Sequence, residues 1–135
     1  ATAVYVSDGA SELDGSVTPA RVIRDEAWGP VLAIHVGDDD RLFAMNETAQ
    51  VFRYDGVSDL DGDVEPTAVL DIEGGSAISA MAIAEDGTTF LVDRSLAYIY
   101  SFDPGTIGTS GTIVPSRTAD SVGIRAPIRL AVREP

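Results

Sequence analysis

"SDLDGDVEP", residues 58–66, sets four carboxylates and a glycine into nine positions. Alone it has the look of a calcium loop. A near copy, "SELDGSVTP", occupies residues 11–19, 47 positions earlier. A stretch that returns at a fixed interval speaks of architecture before it speaks of ligands, because self-similarity at periods of about 20–50 residues marks repeat folds.

Shifting the chain by 47 brings Val4 onto Val51, Asp8 onto Asp55 and Gly9 onto Gly56. It also brings Ser11, Leu13, Asp14, Gly15, Val17, Pro19 and Val22 onto Ser58, Leu60, Asp61, Gly62, Val64, Pro66 and Val69. Those are 10 identities in the 19 positions 4–22. The match continues more loosely, with "VLAIHV" (31–36) over "ISAMAI" (78–83), and Asp39 and Phe43 over Asp86 and Phe90. A third copy follows after an insertion of one or two residues. There "IYSFDP" (99–104) lies over "VFRYDG" (51–56), Pro115 over Pro66 and "IRLAV" (128–132) over "SAMAI" (79–83). The repeats run approximately over 4–50, 51–98 and 99–135 of a single domain, 1–135.

Each copy is a set of short Val-, Ile-, Phe- and Tyr-rich runs punctuated by Gly, Asp and Pro, the signature of strands and turns. No helical apolar period is sustained anywhere. The middle copy predicts strands at 78–84, 88–93, 97–102 and 112–118, with "EDGT" (85–88) as a tight hairpin turn. A period in the forties with four strands per unit is what a β-propeller blade requires. The expected fold is all-β: antiparallel four-stranded blades repeating every 47–49 residues, about three of them, forming a partial propeller. The chain opens inside a repeat, with a third-strand equivalent at 3–7 and an outer strand at 20–24, and it closes on an inner strand at 127–133. Propellers close with about 4–8 blades. Two apolar faces therefore need covering, by further blades of a larger propeller or by copies of the chain.

In this frame "SDLDGDVEP" lies between a third strand (49–54) and an outer strand (67–72) and reads as a connector, where Asp and Gly favour turning. The equivalent loop of the third copy, "GTIGTSGTIV" (105–114), has no carboxylate. A calcium ion takes about 6–8 oxygens and the EF-hand pattern wants Gly in sixth place, whereas the sixth residue counted from Asp59 is Val64. Ligation by Asp59, Asp61 and Asp63 is the lesser alternative, and the expectation is neither metal nor cofactor.

The units resemble bacterial propeller repeats of the NHL, YVTN and lactonase-like kind. The matching pieces are "GPVLAIHVGDDDRLFAMN" (29–46), "VFRYDGVSDLDGDVEPTAVL" (51–70), "MAIAEDGTTFLVDR" (81–94) and "APIRLAV" (126–132). The resemblance covers essentially the whole chain and implies the architecture. It leaves function open, since such propellers serve as enzymes, receptors and scaffolds. Its lactonase-like and strictosidine-synthase-like members hold a divalent metal on Glu, Asn and Asp of the inner strands. Here the inner strands carry His35, Ala82, Arg129 and apolar residues, so that ligand set does not transfer.

Composition narrows the partners. Asp and Glu total 22 against 9 basic residues, all of them Arg, for a net charge of −13. That balance disfavours nucleic acid and anionic membranes, and no apolar run approaches the roughly 18 residues of a membrane span. The lysine-free acidity fits a salt-rich, halophilic setting and equally a GC-rich genome. Without cysteine there is neither a disulfide framework nor a thiolate site. "ATAVYVSDG" has no signal-peptide pattern, so any leader is expected to have been removed from a secreted, extracellular or periplasmic protein.

Few residues invite chemistry. His35 is the single histidine and stands where the other copies have Ala82 and Ala131, a place for a grafted function or for one satisfied by packing. "GDDDR" (37–41) reads as an acidic hairpin turn, and Asn46 and Asp93 as turn caps closing second strands. Trp28, ahead of an inner strand, either anchors a partner or sugar or packs in the core. Arg125, Arg129 and Arg133 cluster near the last inner strand, and Arg129, in the place of Ala33 and Ala80, holds an anion or pairs with a carboxylate. His35, Trp28, Arg125 and Arg129 are thus the candidate binding residues of a non-catalytic module for protein binding or assembly, a homo-oligomer among the options. The alternative is a fragment of a metal-dependent lactonase-like propeller hydrolase.

Overall fold

A computed structural model describes residues 3–7, 15, 18–37, 39–108 and 110–120. These residues form twelve short strands and three single-turn 3-10 helices at Glu26–Trp28, Val57–Asp59 and Thr106–Gly108. The strands are β1 Ala3–Val6, β2 Arg21–Arg24, β3 Val31–Val36, β4 Arg41–Asn46, β5 Gln50–Asp55 and β6 Gly62–Asp63. They continue as β7 Ala68–Ile72, β8 Ile78–Ile83, β9 Thr89–Asp93, β10 Tyr98–Phe102, β11 Gly111–Ile113 and β12 Arg117–Asp120. Three sheets result: β1-β2-β6, then β3-β4-β5-β7-β11, then β8-β9-β10-β12. The protein is all-β.

The repeat in sequence is a repeat in hydrogen bonding. β3-β4-β5-β7 and β8-β9-β10-β12 are the same antiparallel meander. Even the irregularity recurs 47 residues on, between Val31 and Ala33 and between Ile78 and Ala80. β1 and β2 pair with the register of β5 and β7, Tyr5 facing Val22 as Phe52 faces Val69. Because side chains alternate across a strand, β4 and β5 at the centre of the second sheet are buried on both faces. Leu42, Ala44, Phe52 and Tyr54 pack with Ile23 of the first sheet and with Trp28. Phe43, Met45, Val51 and Leu70 pack with Met81, Leu91, Tyr100 and Phe102 of the third.

Asn46 and Asp93, both buried, close β4 and β9 as caps. The Asn46 amide nitrogen donates to the Trp28 carbonyl and to Gln50 Oε1, both at 3.0 Å, while its oxygen accepts from the Thr48 and Gln50 N–H groups. Asp93 accepts four backbone N–H groups, from Ser76, Ala77, Ser95 and Leu96, and the Tyr100 hydroxyl at 2.9 Å. Each cap thereby ties a hairpin to the loop that leads into its own sheet. "GDDDR" is likewise a hairpin turn: Gly37 N–H donates to the Arg41 carbonyl, as Ala84 N–H donates to that of Thr88.

"SDLDGDVEP" does more than connect. After β5 the chain turns through Val57–Asp59 and crosses back to the preceding sheet, where β6 lies parallel against β2, Ile23 opposite Gly62. The third copy does the same, with β11 parallel to β7 and Leu70 opposite Gly111. Two corrections follow. The pairing is not wholly antiparallel, since these straps join it in parallel. The outer strand expected at 112–118 is two elements, β11 in the second sheet and β12 in the third, separated by Pro115, which has no N–H for a ladder. The inner strand expected at 127–133 lies outside the described residues.

An arginine holds each strap. Arg21 Nη1 donates to the carbonyls of Val57 and Leu60 at 2.7 and 2.8 Å, and Asp61 Oδ1 accepts the Val22 N–H. Arg53 Nη1 donates to the Ile107 carbonyl at 2.7 Å, and Ser110 Oγ, immediately before β11 as Asp61 is before β6, accepts the Val69 N–H. Arg53 is buried and braced by Asp55 at 3.1 Å, whereas the ion pair of Arg24 with Asp63 is exposed. Removing a buried charged donor strands its acceptor. Arg53→Ala is therefore expected to lower the unfolding free energy by about 2–3 kcal/mol, and Arg21→Ala, only partly buried, by about 1 kcal/mol. Urea denaturation followed by tryptophan fluorescence distinguishes the two.

Candidate functional site

Strongly shifted titratable groups are a usual pointer to a functional site, and two buried tyrosines qualify. Tyr54 OH receives the Trp28 Nε1–H at 2.6 Å and donates to the Asp25 carboxylate. Burial first, then the Asp25 hydrogen bond and charge, push its ionisation far above the ordinary value, with only the Trp28 donor pulling the other way. Tyr100 is raised likewise by burial and by donation to Asp93. Both tyrosines are buried. Asp25 also caps the Glu26–Trp28 turn by accepting the Ala27 N–H at 2.8 Å, so the triad fixes the entry into β3.

Trp28 consequently belongs to the core. It is 1 % exposed and meets Tyr54 edge-on at 5.9 Å, and of the two readings open to it the fold supports packing. His35 is half-buried on β3, its ring 6.2 Å from that of Phe43. It borders a recess of about 450 Å³ where β3 and β8 end, together with Val36, Asp39, Ile83, Ala84 and Glu85. Asp39 there pairs with Arg41 at 3.4 Å. Asp86, beside the recess, accepts the Thr88 N–H, which holds its carboxyl below the usual range. Arg125 and Arg129 lie outside the described residues. His35 and Trp28 are not brought together, since one lines the recess and the other is enclosed between the first and second sheets.

The acidic trio is spread along the strap. Asp61 accepts the Val22 N–H, Asp63 pairs with Arg24 at 3.2 Å, and Asp59 is exposed on the 3-10 turn. Among the described residues, no three His, Cys, Asp or Glu side chains are grouped to hold a metal ion. No helix among them is long and apolar enough to cross a membrane.

What the described surface does offer is apolar area. Ile34 and Val36 on β3 are 47 % and 58 % exposed and Tyr5 on β1 is 69 % exposed. Tyr5 lies along a groove of about 340 Å³ with Val4, Val31, Leu32 and Ile34. The repeat equivalent of Ile34 behaves differently: Met81 is buried between the second and third sheets. Arg21, Arg53 and Arg117 fall on one cross-strand pair of each sheet, a match hidden from the 47-residue shift, which lays Arg21 over Ala68.

The two tyrosines set an alkaline limit. Their folded values lie above the unfolded value of 10.0, so their contribution is complete below pH 10 and is lost as pH rises beyond it. Each is expected to remove about 1.4 kcal/mol of stability per pH unit there, and Tyr54→Phe to reduce the combined slope by about half. Unfolding midpoints measured from pH 8 upward check the slope. For calcium, titration calorimetry is expected to show no stoichiometric site; one tight site abolished by Asp61→Asn would overturn the reading of the strap as structural.

Comparison of the chain with family models, with curated proteins and with solved structures yields no match.

Proposed function

We propose that the chain is a segment of a β-propeller of the NHL and YVTN-like kind and that it works as a non-catalytic module for protein binding and assembly. The observation that carries this reading is an imbalance of coverage. The second sheet has a neighbour on both faces, while β3 leaves Ile34 and Val36 open and the first sheet leaves Tyr5 open. Three of the five exposed large apolar side chains of the described surface stand on β1 and β3, Leu96 and Val114 lying elsewhere, and adjacent exposed apolar side chains mark an interaction surface. The repeated meander, returning at 47–49 residues with its straps, supports blades as the unit of that architecture. An extracellular or periplasmic setting goes with the resemblance to bacterial propeller repeats.

Light scattering and hydrophobic-dye binding on the purified chain test the proposal. At micromolar concentration the expected result is a mass above 14.1 kDa, or a dye signal that Ile34→Ser with Val36→Ser removes. A single 14.1 kDa species that unfolds cooperatively and binds no dye would refute it.

A further inference from the structure

Asn46 is the single asparagine of the chain, and with Glu47 and Thr48 it forms Asn-x-Thr, the acceptor sequence of an N-linked glycan. Such acceptors belong on the exposed loops of secreted proteins. Glu47 and Thr48 comply, exposed in the turn between β4 and β5. Asn46 does not, being 2 % exposed at the last position of β4. Both hydrogens of its amide nitrogen are engaged, by the Trp28 carbonyl and by Gln50 Oε1. Its oxygen accepts from the Thr48 N–H, the Thr48 hydroxyl and the Gln50 N–H.

The repeat explains why an acceptor triplet stands at a buried position. In the next copy "DRS" (93–95) takes the place of "NET" (46–48), and Asp93 accepts the Ser95 N–H as Asn46 accepts that of Thr48. An Asx oxygen that takes the N–H two residues on makes an Asx turn, so the cap by itself selects this pattern. In the second sheet the Asx is an amide because the cap there has to donate as well as accept. The Trp28 carbonyl needs a donor, whereas Asp93 meets backbone N–H groups and the Tyr100 hydroxyl.

We propose that Asn46 is a fold-gated glycan acceptor, open only until β4 and β5 close on Trp28, and that a glycan placed there keeps the chain from its native fold. The co-reactant is a sugar carried on a lipid diphosphate, with the transferase that a chain meets on a secretory route. Asn46 Nδ2 forms a bond to the anomeric carbon of that sugar, and the bond from this carbon to the phosphate oxygen breaks. The lipid diphosphate leaves, and one Nδ2 hydrogen departs as a proton. The nitrogen then keeps one hydrogen, too few for both Trp28 and Gln50, and it carries a sugar at a position that is 2 % exposed. A buried carbonyl deprived of its donor is costly, and a sugar in the cap separates β4 from the entry into β3. The gate closes early, because its partners lie only 18 residues before and 4 after Asn46. It is independent of the assembly reading.

Solubilised oligosaccharyltransferase with a lipid-linked oligosaccharide tests the gate on the full chain, read by mass. The folded wild type is compared with Leu70→Asp, which puts a charge into the core at a fully buried position and unfolds the chain. The folded chain is expected to be modified at least about a hundredfold more slowly, since Asn46 is reached only through local opening. In the Leu70→Asp chain, Thr48→Ser is expected to keep the modification and Thr48→Ala to abolish it. Equal rates for the folded and unfolded chains, or an unfolded chain that stays unmodified, overturn the proposal. Wild type synthesised into microsomes behind a secretory leader tests the second half. Any glycosylated fraction is expected to show no cooperative urea transition by tryptophan fluorescence, and a wild type left wholly unmodified there has closed its gate first. A glycosylated fraction that unfolds at the midpoint of the unmodified chain shows that glycan and fold coexist, and the gate falls.

Discussion

A parallel strand of two or three residues has no stability of its own, yet such strands keep the sheets of this protein in sequence. What makes them hold is an arginine reaching across the sheet boundary. Arg21 and Arg53 give charged donors to main-chain carbonyls of the 3-10 turns, those of Leu60, Ile107 and Val57, the last of which also accepts the Leu60 N–H. A charged donor to a carbonyl is worth about 1.5–3 kcal/mol net, which is enough to offset the ordering of a short segment. With the strap seated, Val64, Leu60 and Val57 cover the flank of the cluster between the first and second sheets. The apolar core therefore depends on a polar bond at its border.

The same economy governs the acidic charge. With a net charge of −13, self-repulsion works against the fold. Several carboxylates are used as caps. Asp93 gathers four backbone N–H groups, Asp25 starts the turn before β3, and Asp40 grips Ser58 through both its N–H and its hydroxyl, at 3.0 and 2.7 Å. Asp40 sits in the left-handed region at φ 61°, where the equivalent residue of the next hairpin is Gly87 at φ 91°. Aspartate is among the few side chains that tolerate that region, and here it adds a grip that glycine lacks.

Much of the fold was legible because it is periodic. The 47-residue shift places β3 on β8, and the Val- and Phe-rich runs give the longer strands to within a residue or two. The straps were not legible, since Gly62–Asp63 is too short to show alternation and "TIVPSRT" reads as one run across Pro115. Nor does the sequence say that Trp28 is enclosed; that follows from Tyr54, 26 residues on, bringing a hydroxyl and a carboxylate partner to meet the indole. Of the described candidate binding residues, His35 does border a recess, but Tyr5, Ile34 and Val36 are more exposed than either His35 or Trp28. Exposure depends on which strands have neighbours, and a run of valine and isoleucine carries no mark of that.

The strap also imposes an order in time. Arg21 bonds carbonyls 36 and 39 residues further along the chain, so the first sheet's outer edge stays open until that later segment exists. At synthesis rates of about 5–20 residues per second, the wait is roughly 2–8 s. Through it, a hydrogen-bonding edge with Val22 and Ile23 at its centre is offered to whatever is nearby. Lock-in thus proceeds from the amino-terminal side, each unit fastened only by its successor. A ribosome that pauses between one outer strand and the next strap leaves the nascent protein with that strand edge unpaired.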